Sequence, residues 1–166
     1  PQTNAKAPLI VYAHMGGGVI GDLETCHAFC SILSSICSTT VISVDYRLAP
    51  EHPYPAQLDD TDAVLDALID AGHSADAITL VGDSAGASIA IATTLRRHAR
   101  GAALPGQVVV VSPWLDMENS GETIETNDAT DFLIAREGLQ GNIDRYLSGG
   151  ADPTDQEAVE RIKFAT

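Results

Sequence analysis

Strands alternate with helices along this 166-residue chain, which predicts an α/β fold: a mostly parallel sheet with helices on both faces. Two observations carry that expectation. Four short runs rich in Val, Ile and Leu recur, each with a helix-like segment downstream. A Gly-Asp-Ser-Ala-Gly turn at 82–86 joins one such run directly to the helix after it. With 45% hydrophobic residues the chain can build one core, so a single domain over 1–166 is expected.

The first strand is expected at 8–13, a continuous apolar run ended by the glycines at 16–18 and 21. A helix follows at 25–37, with Asp22 or Thr25 as its N-cap. After a strand at 40–45, the helix at 56–71 sets Leu58, Val64, Leu65, Leu68 and Ile69 on one face and Asp59, Asp62, Asp66 and Asp70 on the other. Asp45 and Arg47, between them, are read as scaffold bonded to each other or to nearby backbone. A strand at 77–82, a helix at 85–99, a strand at 107–112 and a helix at 136–147 complete the series, followed by a turn-rich exit from Ser148 to Pro153.

The formal net charge of −14 argues against nucleic acid and anionic membrane as partners, since neither phosphate nor acidic lipid is attracted to such a surface. Seven carboxylates and one Arg lie between Asp116 and Glu137, read as a solvated surface. No His or Cys there stands at ligand spacing, so no metal is assigned, and no cofactor is implied. Cys26, Cys30 and Cys37 fall on one helix without a C-x-x-C pair, which reads as free, mostly buried thiols in a reducing, cytoplasmic setting. No run is long and apolar enough for stable membrane insertion, and a homo-oligomer is left open.

Gly82-Asp83-Ser84-Ala85-Gly86 fits the G-x-S-x-G nucleophile elbow, a strand-to-helix turn in which the central Ser takes a strained conformation and larger flanking residues would clash. A second motif lies upstream, where His14-Met15-Gly16-Gly17-Gly18 directly follows the first strand. Acyl transfer needs N–H groups aimed at a developing oxyanion, and a loop without side chains brings its backbone close. The candidate donors are the N–H groups of Gly16, Gly17 and Ala85, with Ser84 as nucleophile.

These motifs, with Asp45-Tyr-Arg-Leu-Ala-Pro-Glu-His-Pro-Tyr-Pro-Ala56 and Ser112-Pro-Trp-Leu-Asp116, resemble the hormone-sensitive-lipase-like branch of the α/β-hydrolases, which includes bacterial carboxylesterases and lipases. The resemblance runs from about Pro8 to about Pro153. It implies an α/β-hydrolase core of central strands only, with 40–45 at one side and 107–112 at the other. It also implies a lid excursion near 117–150 and hydrolysis of small-molecule esters through a serine acyl-enzyme. The branch usually reads His-Gly-Gly-Gly-aromatic; here Met15 takes the first Gly position and Gly18 the aromatic one, which should loosen the wall of the acyl pocket.

The triad is incomplete in the sequence. The resemblance implies that the acid and then the His follow the Ser and fall beyond Thr166. It also makes His14 a loop-shaping residue, while His27, His52, His73 and His98 read as surface or packing side chains. Asp83 reads as a structural hydrogen-bonding residue, because an elbow turns its neighbours away from the Ser. Two rivals remain. A non-catalytic hydrolase-fold binding module would also lack the acid and His. The run Gly16-Gly17-Gly18-Val19-Ile20-Gly21 satisfies G-x-G-x-x-G, with Asp45 placed as a ribose-binding acid, but the helix cap at Asp22–Thr25 comes too late for a dinucleotide fingerprint.

Overall fold

The computed structural model describes residues 7–148 and places β1 (Leu9–Ala13) inside a four-stranded parallel sheet. Every residue of β1 is buried, as a strand with neighbours on both edges and helices on both faces must be. The remaining elements are α1 (Leu23–Cys37), β2 (Thr40–Val44), α2 (Ala56–Asp70), β3 (Ile78–Asp83), α3 (Ala85–Ala99), β4 (Gln107–Val111), α4 (Glu122–Thr126) and α5 (Arg136–Tyr146). A 3-10 turn at Ala75–Ala77 precedes β3. The short α4 has no counterpart in the sequence reading, because five residues carry no helical period to detect.

The strand order is β2-β1-β3-β4, all parallel, so among the described residues the strands expected at 40–45 and 107–112 are the two outer ones. Leu9, Val11, Ala13 and Leu80 meet Leu58 and Leu65 of α2 and Ile89, Ala90 and Ala92 of α3 on one face. Ile10, Tyr12 and Val81 meet Cys26, Cys30 and Leu33 of α1 on the other. On β4 the apolar run Val108–Val111 is 36–50% exposed. That run pairs with β3 along one edge, and among the described residues no strand pairs with its other edge.

Helix α1 begins two residues before the sequence reading because Asp22 is its cap. The Asp22 carboxylate accepts from the Thr25 N–H (2.7 Å) and Thr25 Oγ1 accepts from the Asp22 N–H (2.9 Å), a reciprocal capping box. The Thr25 hydroxyl also donates to that carboxylate, and this bond with the Thr25 N–H holds the Asp22 carboxyl below its ordinary range. Of the three free thiols, Cys26 is buried, Cys30 partly so, and Cys37 in the last turn is exposed, which corrects the expectation that most would be buried.

Two charge assignments also change. Asp62 was expected on the solvent face of α2, but it is buried against α3, where Arg97, itself 1% exposed, donates to it. Arg96 (3.2 Å) and Arg100 (2.9 Å) reach the same carboxylate, Arg97 also pairs with Asp66 (2.8 Å), and its Nε–H donates to the Ala103 carbonyl (2.7 Å). Arg96 and Arg97 in the last turn of α3, with Arg100 at its C-cap, thus lock α2 beside it. Arg47 pairs with Asp60 of α2 (2.9 Å) and not with Asp45: its Nε–H and Nη2–H both reach the Asp60 carboxylate, a bidentate geometry.

Asp62→Ala leaves the buried Arg97 with Asp66 as its carboxylate partner beside the Ala103 carbonyl. Urea denaturation is expected to show a loss of about 2–3 kcal/mol, while the exposed Asp70→Ala changes stability by less than about 0.5 kcal/mol.

Candidate active site

Ser84 lies between the last residue of β3 and the first of α3, with φ 50° and ψ −120°, a conformation a non-glycine residue holds only when its surroundings enforce it. The enforcement is visible. The Ser84 N–H donates to the Val111 carbonyl (3.0 Å), and the Ser84 carbonyl accepts from the N–H groups of Ala87 (3.2 Å) and Trp114 (3.2 Å). The Ser88 hydroxyl closes the ring by donating to the Trp114 carbonyl. A Cβ on Gly82 would run into the Gly86 carbonyl, and one on Gly86 into the carbonyls of Ala13 and His14. The glycines therefore do more than relieve the turn: Gly86 sets the start of α3 directly against the end of β1.

That end of β1 carries the glycine loop. Gly16, Gly17 and Gly18 all have positive φ (123°, 66° and 72°), a succession that side chains would oppose. The Gly16 carbonyl accepts from Val19 and Ile20 (3.0 Å each) and the Gly18 carbonyl from Ala49 (2.9 Å). Among the described residues, the N–H groups of Gly16, Gly17 and Ala85 take no part in the backbone bonds that close the loop and the elbow. His14, 2% exposed, shapes the loop from inside: its ring stacks on Tyr46 (4.1 Å between centroids, 12°) and its Nδ1–H donates to the Met15 carbonyl (2.7 Å). The Tyr46 hydroxyl donates to the His14 carbonyl (2.6 Å), and burial pushes its pKa far up, so it stays a donor. Met15 points to solvent at 59% exposure, so its side chain leaves this arrangement undisturbed.

Helix α5 seats on the same loop, a role the sequence reading did not assign. A Cβ on Gly17 would lie 2.7 Å from Asn142 Nδ2, and one on Gly18 2.5 Å from the Tyr146 ring. The Tyr146 carbonyl in turn accepts from the Tyr54 N–H (2.8 Å). Gly18 is buried, which corrects the expectation of a loosened wall: Tyr146 fills the space that a side chain at position 18 would take. The signal was present in the Pro-rich run at 50–56 and in Tyr146, but nothing in sequence spacing links residues so far apart.

Asp83 points away from Ser84 and accepts the Tyr12 hydroxyl at 2.7 Å, as a structural residue should. Among the described residues no His nitrogen is hydrogen-bonded to Ser84, and no group of three or more His, Cys, Asp or Glu is placed to hold a metal. The run Gly16–Gly21 is a turn, and α1 starts only after its Asp22 cap, so its helix does not begin within the glycines as a dinucleotide fingerprint requires.

Comparison with known proteins agrees with this architecture. A family model described as alpha/beta hydrolase fold matches residues 10–163. An esterase of Acinetobacter venetianus is 37% identical over 147 residues, covering 89% of this chain and 48% of the relative. An acetyl-hydrolase of Streptomyces hygroscopicus is 33% identical over 144 residues, covering 87% and 48%. A crystal structure of an esterase from the bacterial hormone-sensitive lipase family superposes with a TM-score of 0.87 at 35% identity, over 95% of this chain and 53% of that one. The chain belongs to the α/β-hydrolase family and, within it, to the hormone-sensitive-lipase-like branch. It spans about half the length of the curated relatives it matches.

Because Gly18 abuts Tyr146, Gly18→Ala is expected to lower stability by about 1–3 kcal/mol, read from thermal unfolding. Gly138→Ala, a helical position in α5 where a Cβ meets nothing within 4 Å, should leave stability unchanged or raise it.

Proposed function

We propose that the protein hydrolyses carboxylic esters through an acyl-enzyme on Ser84. The observation that carries the reading is the strained Ser84 turn set against a loop of three positive-φ glycines in which, among the described residues, the N–H groups of Gly16 and Gly17 take no part in the loop's backbone bonds. Ser84 Oγ attacks the ester carbonyl carbon and its proton passes to a His; the N–H groups of Gly16, Gly17 and Ala85 hold the negative oxygen of the tetrahedral intermediate. Collapse expels the alcohol, and water then releases the acid. We place the His and its orienting carboxylate outside the described residues. Support comes from the lack of any His hydrogen-bonded to Ser84 among those residues and from relatives about twice as long. The names of those relatives, esterase and acetyl-hydrolase, support small esters as substrates.

Residues 117–150 read as a lid excursion of a single domain, supported by the seat of α5 on Gly17 and Gly18. No helix among the described residues is long and apolar enough to cross a membrane. A cytoplasmic setting is supported by the free thiols, and indifference to nucleic acid by the charge of −14.

The test uses the full-length polypeptide encoded by the gene, assayed with p-nitrophenyl esters and a fluorophosphonate probe. Ser84→Ala should abolish labelling and lower turnover by about three orders of magnitude or more, with the fold intact. Near-normal hydrolysis by that variant would sink the assignment. Gly17→Val should cut turnover about a hundredfold, since it displaces an oxyanion donor worth about 3 kcal/mol; full activity would mean that the oxyanion is held elsewhere.

A further inference from the structure

Asp83 immediately precedes Ser84, and the mechanism above makes no use of it. Its carboxylate is nevertheless held: the Tyr12 hydroxyl, carried by the central strand β1, donates to Oδ1 at 2.7 Å. Tyr12 stands opposite Val81 in the β1–β3 register and is 1% exposed. Its ring packs on Phe29 of α1 (5.0 Å between centroids). Burial, with the Asp83 carboxylate beside it, pushes the Tyr12 hydroxyl well above its ordinary pKa, so it donates throughout any working pH range.

We propose that Tyr12 is a positioning residue for Ser84, acting through Asp83. The proposal rests on Ser84 being the nucleophile. On the C-terminal side, the strained turn is held by three backbone donors, Ala87, Ser88 and Trp114, to the Ser84 carbonyl. On the N-terminal side, the Ser84 N–H is held by Val111 of β4, an outer strand among the described residues. The β3 ladder already joins this flank to β1 as far as Gly82, and the bond from Tyr12 to Asp83 adds a side-chain tie to β1 at the residue next to Ser84. A residue at φ 50° relaxes when its flanks are freed. Sub-ångström displacement of a nucleophile lowers the rate of attack without weakening ground-state binding.

Ester turnover by the full-length polypeptide is compared for wild type, Ser84→Ala, Tyr12→Phe, Asp83→Asn, Asp83→Ala and the Tyr12→Phe/Asp83→Ala double variant. Tyr12→Phe keeps the ring and loses only the donor. It should lower kcat about tenfold with KM within about twofold and an unchanged circular dichroism spectrum. Asp83→Asn loses the charge but keeps an acceptor oxygen, and should stay within about threefold of wild type. Asp83→Ala should match Tyr12→Phe, and the double variant should be no slower than either single one. The proposal is overturned if Tyr12→Phe turns over within about twofold of wild type, or if its defect lies in KM alone. It is also overturned if Asp83→Asn is as slow as Tyr12→Phe, because the charge and not the tie would then be the active feature. If wild type is active and Ser84→Ala is equally so, the nucleophile assignment fails first and the positioning role falls with it; an inactive Ser84→Ala beside an active wild type isolates the question of Tyr12.

Discussion

The contact on which the rest of the site depends is the approach of Gly86 to the carbonyls of Ala13 and His14. It brings the first turn of α3 against the C-terminal end of β1 with no side chain between them. Two pieces of backbone distant in sequence, the elbow at 82–86 and the loop at 14–18, thereby share one corner of the sheet. Parallel strands make this economical, because every strand end at that edge opens into a loop on the same side. The surrounding bonds, from the Ser84 N–H to the Val111 carbonyl and from the Tyr46 hydroxyl to the His14 carbonyl, then stiffen a juxtaposition that the small residues have created.

Most of the fold was legible because its signals are local. Each strand is a short apolar run, and the boundaries fall within one residue of the sequence reading, since Gly and Asp mark the chain's exits from the sheet. The elbow was legible for a related reason: the Gly82–Ser84–Gly86 spacing encodes one steric requirement inside five residues. What escaped was non-local. Asp62 reads as a solvent-face residue from the period of α2, and only the arrival of Arg96, Arg97 and Arg100 from α3 buries it. Arg47 could not be paired with Asp60 before the turn between them was known to fold back. The family resemblance supplied the glycine loop as a motif, but not the helix that packs on it.

That helix changes how the loop is understood. Alone, three positive-φ glycines would form a soft segment with wide conformational freedom. Asn142 and Tyr146 stand on one face of α5, four residues apart, and each covers one glycine. Tyr54 fastens the end of that helix through the Tyr146 carbonyl and sets its ring tilted against that of Tyr146, with centroids 5.8 Å apart. Rigidity thus reaches the loop from a neighbouring element instead of from its own residues, which is how a stretch without side chains can still present fixed donors.

The division of space between Gly18 and Tyr146 also has an evolutionary side. Each of the two glycines is boxed in by the partner that covers it, so any single substitution at 17 or 18 meets an occupied position. Change at this wall has to begin on the helix, where trimming Asn142 or Tyr146 opens room that a later substitution in the loop can fill. The order of the two steps is therefore constrained: the lineage can remodel this corner through α5 first, and the glycines follow.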